Sequence, residues 1–467
     1  MRGLRSLPSA LSPFWLSHFL VFAISPFDDC PRAFGAIRSY NGYVTSNLNQ
    51  TPSSERVHIS IFGRRNTGKS SVINALTNQR LAIVSDVPGT TTDPVSKSME
   101  ILPIGPVIVT DTAGIDDTGD LGMLRVEKTL RVLENTDLAV LVIESGQHPG
   151  ECEEDMVNKI KDRGIPLLIC ANKIDINPDF APIKAWATSR SALFTAVSAV
   201  TREGIEHLKN SLIHLSPSAL SEPAILGDLV SGGDIVVMVV PIDKAAPKGR
   251  LILPQVMTIR DCLDHDAIAV TVKERELSAC LRSLGRKPRL VITDSQAFLK
   301  VDADTPKDIP MTSFSILMAR YKGDLAEFVE GARAIDDLKI GDRVLVSEGC
   351  THHAQADDIG RVQIPRWLRQ MVGGELEFGF SSGKDFPPDF HTYDLIVHCG
   401  GCMVNRREML YRQRVAAEAG VPMTNYGVLL AKVHGILERA LEPFPLARLA
   451  LEEADEDSGI RIERTTF

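Results

Sequence analysis

This chain of 467 residues has few cysteines, no surplus of positive charge and, beyond residue 50, no apolar run long enough for a bilayer. Each shortage removes a class of function. Eight cysteines, at 30, 152, 170, 262, 280, 350, 399 and 402, are too sparse and too unevenly spaced for a disulfide-stapled secreted scaffold. A reducing, cytoplasmic setting is the expectation. A formal charge of -9 argues against a general nucleic-acid or anionic-membrane surface, so neither is expected as a partner. Long charge runs and short-period repeats are missing too. The length exceeds what a single hydrophobic core sustains, which implies several domains.

The first fifty residues stand apart. Arg2 and Arg5 precede an apolar stretch from Phe14 to Ile24 that resembles a signal-peptide core and is too short to span a bilayer. An export signal, an organelle-targeting extension and a start codon placed upstream of the true one each account for it, and the last is favoured. Residues 1–50 are therefore set outside the fold. From Arg56 onward, strand-like runs alternate with amphipathic stretches, the pattern of α/β folds with parallel sheets. The Ser- and Pro-rich stretch from Ser216 to Pro223 closes a first domain, 51–217. A small β-α-β-α-β unit follows over 224–305, without a phosphate loop or a cluster of catalytic types, which suits an oligomerisation module. A third region covers 308–450, with a helical stretch expected from Ser313 to Ala334, and a tail runs over 451–467.

Gly63-Arg64-Arg65-Asn66-Thr67-Gly68-Lys69-Ser70 matches G-x-x-x-x-G-K-[ST] between an expected strand and an expected helix. Gly68 lets the backbone approach phosphates, whose charge is met by loop N–H groups and the helix N-terminus. Lys69 is placed to reach the β- and γ-phosphates and Ser70 to ligate magnesium, with Gly63, Asn66, Thr67 and Ser71 completing the loop. Asp111-Thr112-Ala113-Gly114 ends another strand, where Asp111 can hold a magnesium water and the Gly114 N–H can sense a γ-phosphate. In Asn172-Lys173-Ile174-Asp175, the Asp175 carboxylate can accept from guanine N1–H and the exocyclic amine, whereas adenine presents an acceptor at N1 and no amine at C2. Ser198-Ala199 would support the base from its other side. Four such elements in this order leave little room for an ATPase.

A second constellation lies near the C-terminus: Cys350-Thr351-His352, then His398-Cys399-Gly400-Gly401-Cys402. Both groups follow expected strands, where crevices form in α/β sheets, and a helix expected from Asn405 to Ala419 begins just beyond. Ligand types and the C-x-x-C spacing suit a metal, and chemistry alone leaves structural zinc and an iron–sulfur cluster both open.

The nucleotide motifs resemble the branch of translation-factor-related GTPases that contains the Era-like, tRNA-modifying and iron-transport enzymes. Pro88-Gly89-Thr90-Thr91-Thr92-Asp93 looks like that branch's switch I, with Thr91 as a magnesium ligand, and Asn66 sits where the branch binds an activating potassium ion. Ile115 stands where Ras-like enzymes carry a water-orienting glutamine. The whole pattern, including Thr51-Pro52-Ser53-Ser54-Glu55-Arg56, Thr293 to Phe298, Thr312 to Leu317 and Glu348 to His353, resembles the HydF family of FeFe-hydrogenase maturation GTPases. That resemblance implies an α/β chain with a P-loop GTPase domain, a small α/β dimerisation domain and an α/β iron–sulfur cluster-binding domain. It implies GTP hydrolysis to GDP through Lys69, Thr91, Asp111 and Gly114, and a 4Fe-4S cluster on Cys350, Cys399 and Cys402, with His352 and His398 as candidates for the fourth place. It further implies a homodimer that accepts a diiron precursor from two radical-SAM maturases and passes it to apo-hydrogenase. The competing class is a tRNA-modification or ribosome-assembly GTPase with a structural zinc.

Overall fold

The structure is a computed structural model that describes residues 51–77, 94–116, 126, 128–216, 224–241, 251–349, 358–383 and 386–457. The extension 1–50, the linker 217–223 and the switch I motif 88–93 lie outside the described residues. Among the described residues, no helix is long and apolar enough to cross a membrane.

The first sheet uses β1 (Val57–Phe62), β2 (Val95–Ile101), β3 (Gly105–Asp111), β4 (Leu138–Glu144), β5 (Leu167–Asn172) and β6 (Leu193–Ala196), in the order β2-β3-β1-β4-β5-β6. Every neighbouring pair is parallel except β2 with β3. The central strands β1, β4 and β5 are buried along almost their whole length, which is why they appear as continuous apolar runs, covered by helices on both faces. The edge strand β2 mixes Ser, Lys and Glu with apolar residues and is half exposed. Separate apolar layers fill the two faces of this sheet.

The second sheet contains β7 (Ile235–Val239), β8 (Ile268–Val272), β9 (Leu290–Thr293) and β10 (Met311–Ser313), ordered β10-β9-β7-β8. The third contains β11 (Arg343–Glu348), β12 (Glu377–Ser382), β13 (Leu395–His398) and β14 (Met423–Asn425), ordered β12-β11-β13-β14. Both are wholly parallel. One continuous hydrophobic core serves the two sheets.

Two expectations change. Because β10 pairs with β9, the second module runs past residue 305 and includes Met311–Ser313. The single helical stretch expected over 313–334 is broken at Gly323 into the helices Phe314–Lys322 and Leu325–Gly331, and a third turn, Ala334–Asp337, follows. The break has a local cause, since the Asp324 carboxylate accepts the Ala326 and Glu327 N–H groups and starts a new helix.

Gly331 closes that second helix onto β14, where a Cβ would stand 2.0 Å from the Met423 carbonyl oxygen. Gly331→Ala must push the helix off the strand, with an expected loss of about 1–3 kcal/mol in urea unfolding. An unchanged midpoint would mean that the contact is not as close as described.

Candidate nucleotide site and cysteine loop

β1 feeds directly into the loop Gly63–Ser70. Gly63 and Gly68 take positive φ values of 148° and 89°. A Cβ on them would stand 2.3 Å from the Val142 carbonyl oxygen and 2.3 Å from Asn172 Nδ2, so the loop can curl tightly only with glycine at both places. Asn66 also has positive φ, at 61°, and is exposed at the loop's crest. Lys69 opens the helix Lys69–Thr77, and its Nζ lies across the loop, donating to the carbonyls of Gly63 at 2.9 Å and Arg64 at 2.8 Å. Thr67 is buried, and Ser71 follows Ser70 on the helix's first turn.

Ser70 Oγ donates to Asp111 Oδ2 at 2.5 Å, which brings together the two residues expected around magnesium. Burial pushes the Asp111 carboxyl above its usual range, opposed by the Ser70 hydrogen bond and the nearby Lys69 and Lys97. Its Oδ1 is buried without a partner. A hard cation between Ser70 and Asp111 would satisfy that oxygen, so these residues fit Mg²⁺. Gly114 abuts the loop, since a Cβ there would meet Arg65 Cγ at 2.4 Å, and the Ile115 N–H donates to the Gly63 carbonyl at 3.3 Å.

A single side chain joins the remaining motifs. Asn172 Nδ2 donates to the Thr67 carbonyl at 2.9 Å, and Asn172 Oδ1 accepts the Ala199 N–H at 3.1 Å. Lys173 takes a φ of 67° and pairs with Glu144 at 2.9 Å. Asp175 is exposed beside it, and Ser198, fully buried, accepts the Thr201 N–H at 3.1 Å. The motifs on β1, β3, β5 and the turn after β6 therefore sit at one carboxyl edge of the sheet. Thr91 lies outside the described residues.

Sequence reasoning missed Glu153. It accepts the Gly150 N–H at 2.9 Å and the Arg64 guanidinium at 2.6 Å, fastening the phosphate loop to the start of the helix Glu151–Asp162. Its position three residues into that helix is a recognisable signal.

The C-terminal constellation forms beside adjacent strands. β11 ends at Glu348 and β13 at His398, with Ser347 and His398 in register. Cys399 Sγ receives the Gly349 N–H at 3.0 Å and the Gly401 N–H at 3.4 Å. Cys350 and His352 lie outside the described residues, but Gly349 brings the chain to Cys399 immediately before Cys350. Asn405 caps the helix Arg406–Glu418 by accepting the Glu408 N–H at 3.0 Å. Burial pushes the Cys399 thiol up and that of Cys402 to about 12, and a bound metal would favour the thiolate form of both. A cavity of about 180 Å³ opens beside the loop. Two N–H groups aimed at one sulfur, next to a helix N-terminus, fit a thiolate-held cluster. Among the described residues alone, no three His, Cys, Asp or Glu side chains converge as metal ligands.

His398, one of the two candidates for the fourth place, does not suit it. It is fully buried, its Nε2 faces the Arg412 guanidinium at 2.9 Å and its Nδ1 lies 2.8 Å from the Cys399 carbonyl. Nε2 must accept from Arg412 and Nδ1 must donate, which commits both ring nitrogens and leaves none for iron. Burial, and then the charge of Arg412, push its pKa down to about 3. Through these two contacts the ring ties the Cys399 carbonyl to Arg412.

Contacts between the two sites were not visible in sequence. Ser54 Oγ donates to the Cys402 carbonyl at 2.8 Å, and Asn405 Nδ2 donates to the Asn135 carbonyl at 2.9 Å. Lys322 pairs with Glu55, whose other carboxylate oxygen accepts from the Tyr321 hydroxyl at 2.5 Å.

A P-loop GTPase module followed by two parallel-sheet modules is thus the class that fold and site define. Comparison with known families agrees. A 50S ribosome-binding GTPase model matches residues 58–173, a hydrogen maturase F dimerization domain matches 225–323, and a hydrogen maturase F tetramerization domain matches 326–443. The chain belongs to the hydrogen maturase F (HydF) family. Curated relatives include the tRNA modification GTPase MnmE of Nitrosomonas europaea, 34% identical over 160 residues, which are 34% of each chain. The MnmE of Clostridioides difficile is 33% identical over 153 residues, 32% of this chain and 33% of that one. The match thus spans about a third of these relatives' length. Among solved structures, a variant of Aquifex aeolicus Era bound to GDP.AlF4- is 18% identical, covering 49% of this chain and 98% of that chain at a TM-score of 0.33.

Arg412 supports the cysteine loop from beneath, bonded to Glu408 at 2.5 Å and to His398, with its side chain 1% exposed. Arg412→Ala strands a buried carboxylate and is expected to cost about 3–5 kcal/mol in denaturant unfolding, while Arg412→Met with Glu408→Leu recovers most of that loss. Equal losses in both variants would show that the charge pair is not the source.

Proposed function

We propose that this protein is a GTPase scaffold in FeFe-hydrogenase maturation. It carries a 4Fe-4S cluster, accepts a diiron precursor from two radical-SAM maturases and delivers that cargo to apo-hydrogenase in the cytoplasm. The observation that carries this reading is the joint between its two sites: the segment that feeds the P-loop also holds the Cys402 carbonyl through Ser54. Two oligomerisation modules in one chain support a homo-oligomer built on a dimer.

In GTP hydrolysis, Lys69 leaves its loop carbonyls for the β- and γ-phosphates, and Ser70, Thr91 and Asp111 hold magnesium directly or through water. The Gly114 N–H meets the γ-phosphate, and Asp175 selects guanine. With Ile115 in place of a water-orienting glutamine, a potassium ion held near Asn66 would supply part of the charge stabilisation in the transition state. At the other site, Cys350, Cys399 and Cys402 would hold the cluster, which would supply an iron able to take up and release a ligand. The Gly349 and Gly401 N–H groups stabilise the Cys399 thiolate, and Arg412 and His398 fix the loop. His352 stays a candidate for the fourth place. A GTPase of tRNA modification or ribosome assembly is the alternative that the MnmE match favours. It predicts co-purifying nucleic acid and one zinc per chain.

GTP turnover is expected to be faster in potassium than in sodium, and Lys69→Ala or Ser70→Ala to abolish it with the iron content of the cysteine site intact. Equal rates in the two salts would remove the potassium assignment. Substituting Cys350, Cys399 or Cys402 by serine is expected to bleach the anaerobically reconstituted protein and stop hydrogenase activation, with GTP hydrolysis retained. A colourless wild type that binds one zinc tightly would overturn the carrier reading and leave the GTPase.

A further inference from the structure

The second and third sheets are one design built twice. In each, the strands lie in the order second, first, third, fourth, all parallel. The register agrees at every pair. Ile235 faces Ile268 as Arg343 faces Glu377, Val236 faces Leu290 as Val344 faces Leu395, and Val291 faces Met311 as Ile396 faces Met423. The turns agree as well. Gly233-Asp234 and Gly341-Asp342 precede the first strands, and each Asp accepts the N–H three residues back, from Ser231 at 2.9 Å and Lys339 at 2.7 Å. Met311-Thr312-Ser313 and Met423-Thr424-Asn425 form the last strands, and Ser313 and Asn425 each cap the helix that follows.

With the strands overlaid, Asp294-Ser295 fall on Cys399-Gly400 and Ser315 falls on Gly427. Equivalent residues meet. A Cβ on Gly427 would stand 2.8 Å from Ser315 Cβ. The cavity of about 180 Å³ beside the cysteines is lined in equivalent pairs: Phe314 with Tyr426, Met318 with Leu430, Ser295 with Gly400. Like residues facing like residues is what a local two-fold axis produces.

We propose that this cavity is a single ligand site with two unlike walls, Cys399 and Cys402 on one and Ser295 of the second module on the other, and that Ser295 donates a hydrogen bond to an anionic ligand held between them. Ser295 is buried, 7% exposed, and its Oγ has no hydrogen-bond partner. Its neighbour Asp294 is committed to Gln255 Nε2 at 2.8 Å, so Ser295 is the spare group of that turn. A buried hydroxyl without an acceptor is rare, and a bound ligand is one of the things that accounts for it. Rotation about χ1 is the adjustment that turns the hydroxyl into the cavity its residue lines. The walls define the ligand's chemistry. Thiolates take a soft metal, apolar side chains surround it, and a neutral donor opposite suits an anionic acceptor. That acceptor is either an inorganic sulfide of the cluster or an anion on its exchangeable iron, so the inference rests on the cluster reading above.

The test compares full-length wild type with Ser295→Ala and Ser295→Thr, metal-free and after anaerobic reconstitution, with cyanide as the anionic probe. The cluster content of Ser295→Ala should match wild type, with either a shifted reduction potential (sulfide as acceptor) or cyanide binding weakened about two- to tenfold (iron-bound anion as acceptor), and Ser295→Thr should restore either. Without metal, Ser295→Ala should melt at the wild-type temperature or above it, since it removes an unpaired hydroxyl. A full cluster with unchanged potential and cyanide affinity would overturn the proposal, as would a metal-free Ser295→Ala that melts several degrees lower. Wild type that stays colourless fails the cluster reading instead, and the metal-free comparison still decides whether the Ser295 hydroxyl is spare.

Discussion

Lys322 is the group on which the joint between the nucleotide module and the rest of the chain depends. Its side chain is 2% exposed, and an ammonium that deep is tolerable only with charged and hydrogen-bonding partners. It finds them in the Glu55 carboxylate and, at 3.2 Å, the Ser54 carbonyl. Such a pair adds little net stability over an apolar replacement, but leaving either partner alone is costly, so it fixes geometry more than it strengthens the fold. The geometry it fixes is consequential. Lys322 ends the helix Phe314–Lys322, whose Phe314, Ser315 and Met318 line the cysteine cavity. Glu55 lies two residues before β1, which runs into the phosphate loop. The stretch from Ser54 to Gly63 therefore touches both chemistries within ten residues.

The two sites share one physical solution. Each lies beyond the carboxyl ends of parallel strands, where chain reversals gather backbone N–H groups and a helix begins. At the nucleotide edge those groups surround the place for phosphates, with Asp111 Oδ1 left for a cation. At the cysteine edge two of them are already turned on Cys399 Sγ. What differs is the solvent that each site keeps. Asn66 and Asp175 are exposed, as a site for an exchanging nucleotide requires, whereas His398 is fully buried, with Arg412 at 1% exposure beneath it.

Much of this was legible in the residues because the phosphate loop, Asp111, Asn172 and Ser198 are bound to strand ends by local geometry. The central strands were equally plain, being continuous apolar runs. The edges were not. β2 and β12 are half-exposed strands of mixed polarity, and β10 and β14 are only three residues long, too short for any period to register. Asp324 restarted a helix that apolar spacing alone carried through. The sequence leaves His398 as one of two candidates for the fourth place because ligand type can be seen in a sequence while the orientation of a ring cannot: Arg412, fourteen residues away, takes one of its ring nitrogens. The doubling of the second and third modules is hidden for a related reason, since it resides in strand order and register, with only the Gly-Asp turns and the Met-Thr pairs of the last strands repeated as residues.

The most direct test of the central claim is a crystal structure of anaerobically prepared protein, with anomalous data collected on both sides of the iron and zinc absorption edges. The account predicts an iron signal of several atoms in the cavity between the Cys399–Cys402 loop and Ser295, with Cys350 as the third sulfur ligand. A lone zinc signal there, or iron bound somewhere other than these cysteines, would contradict it.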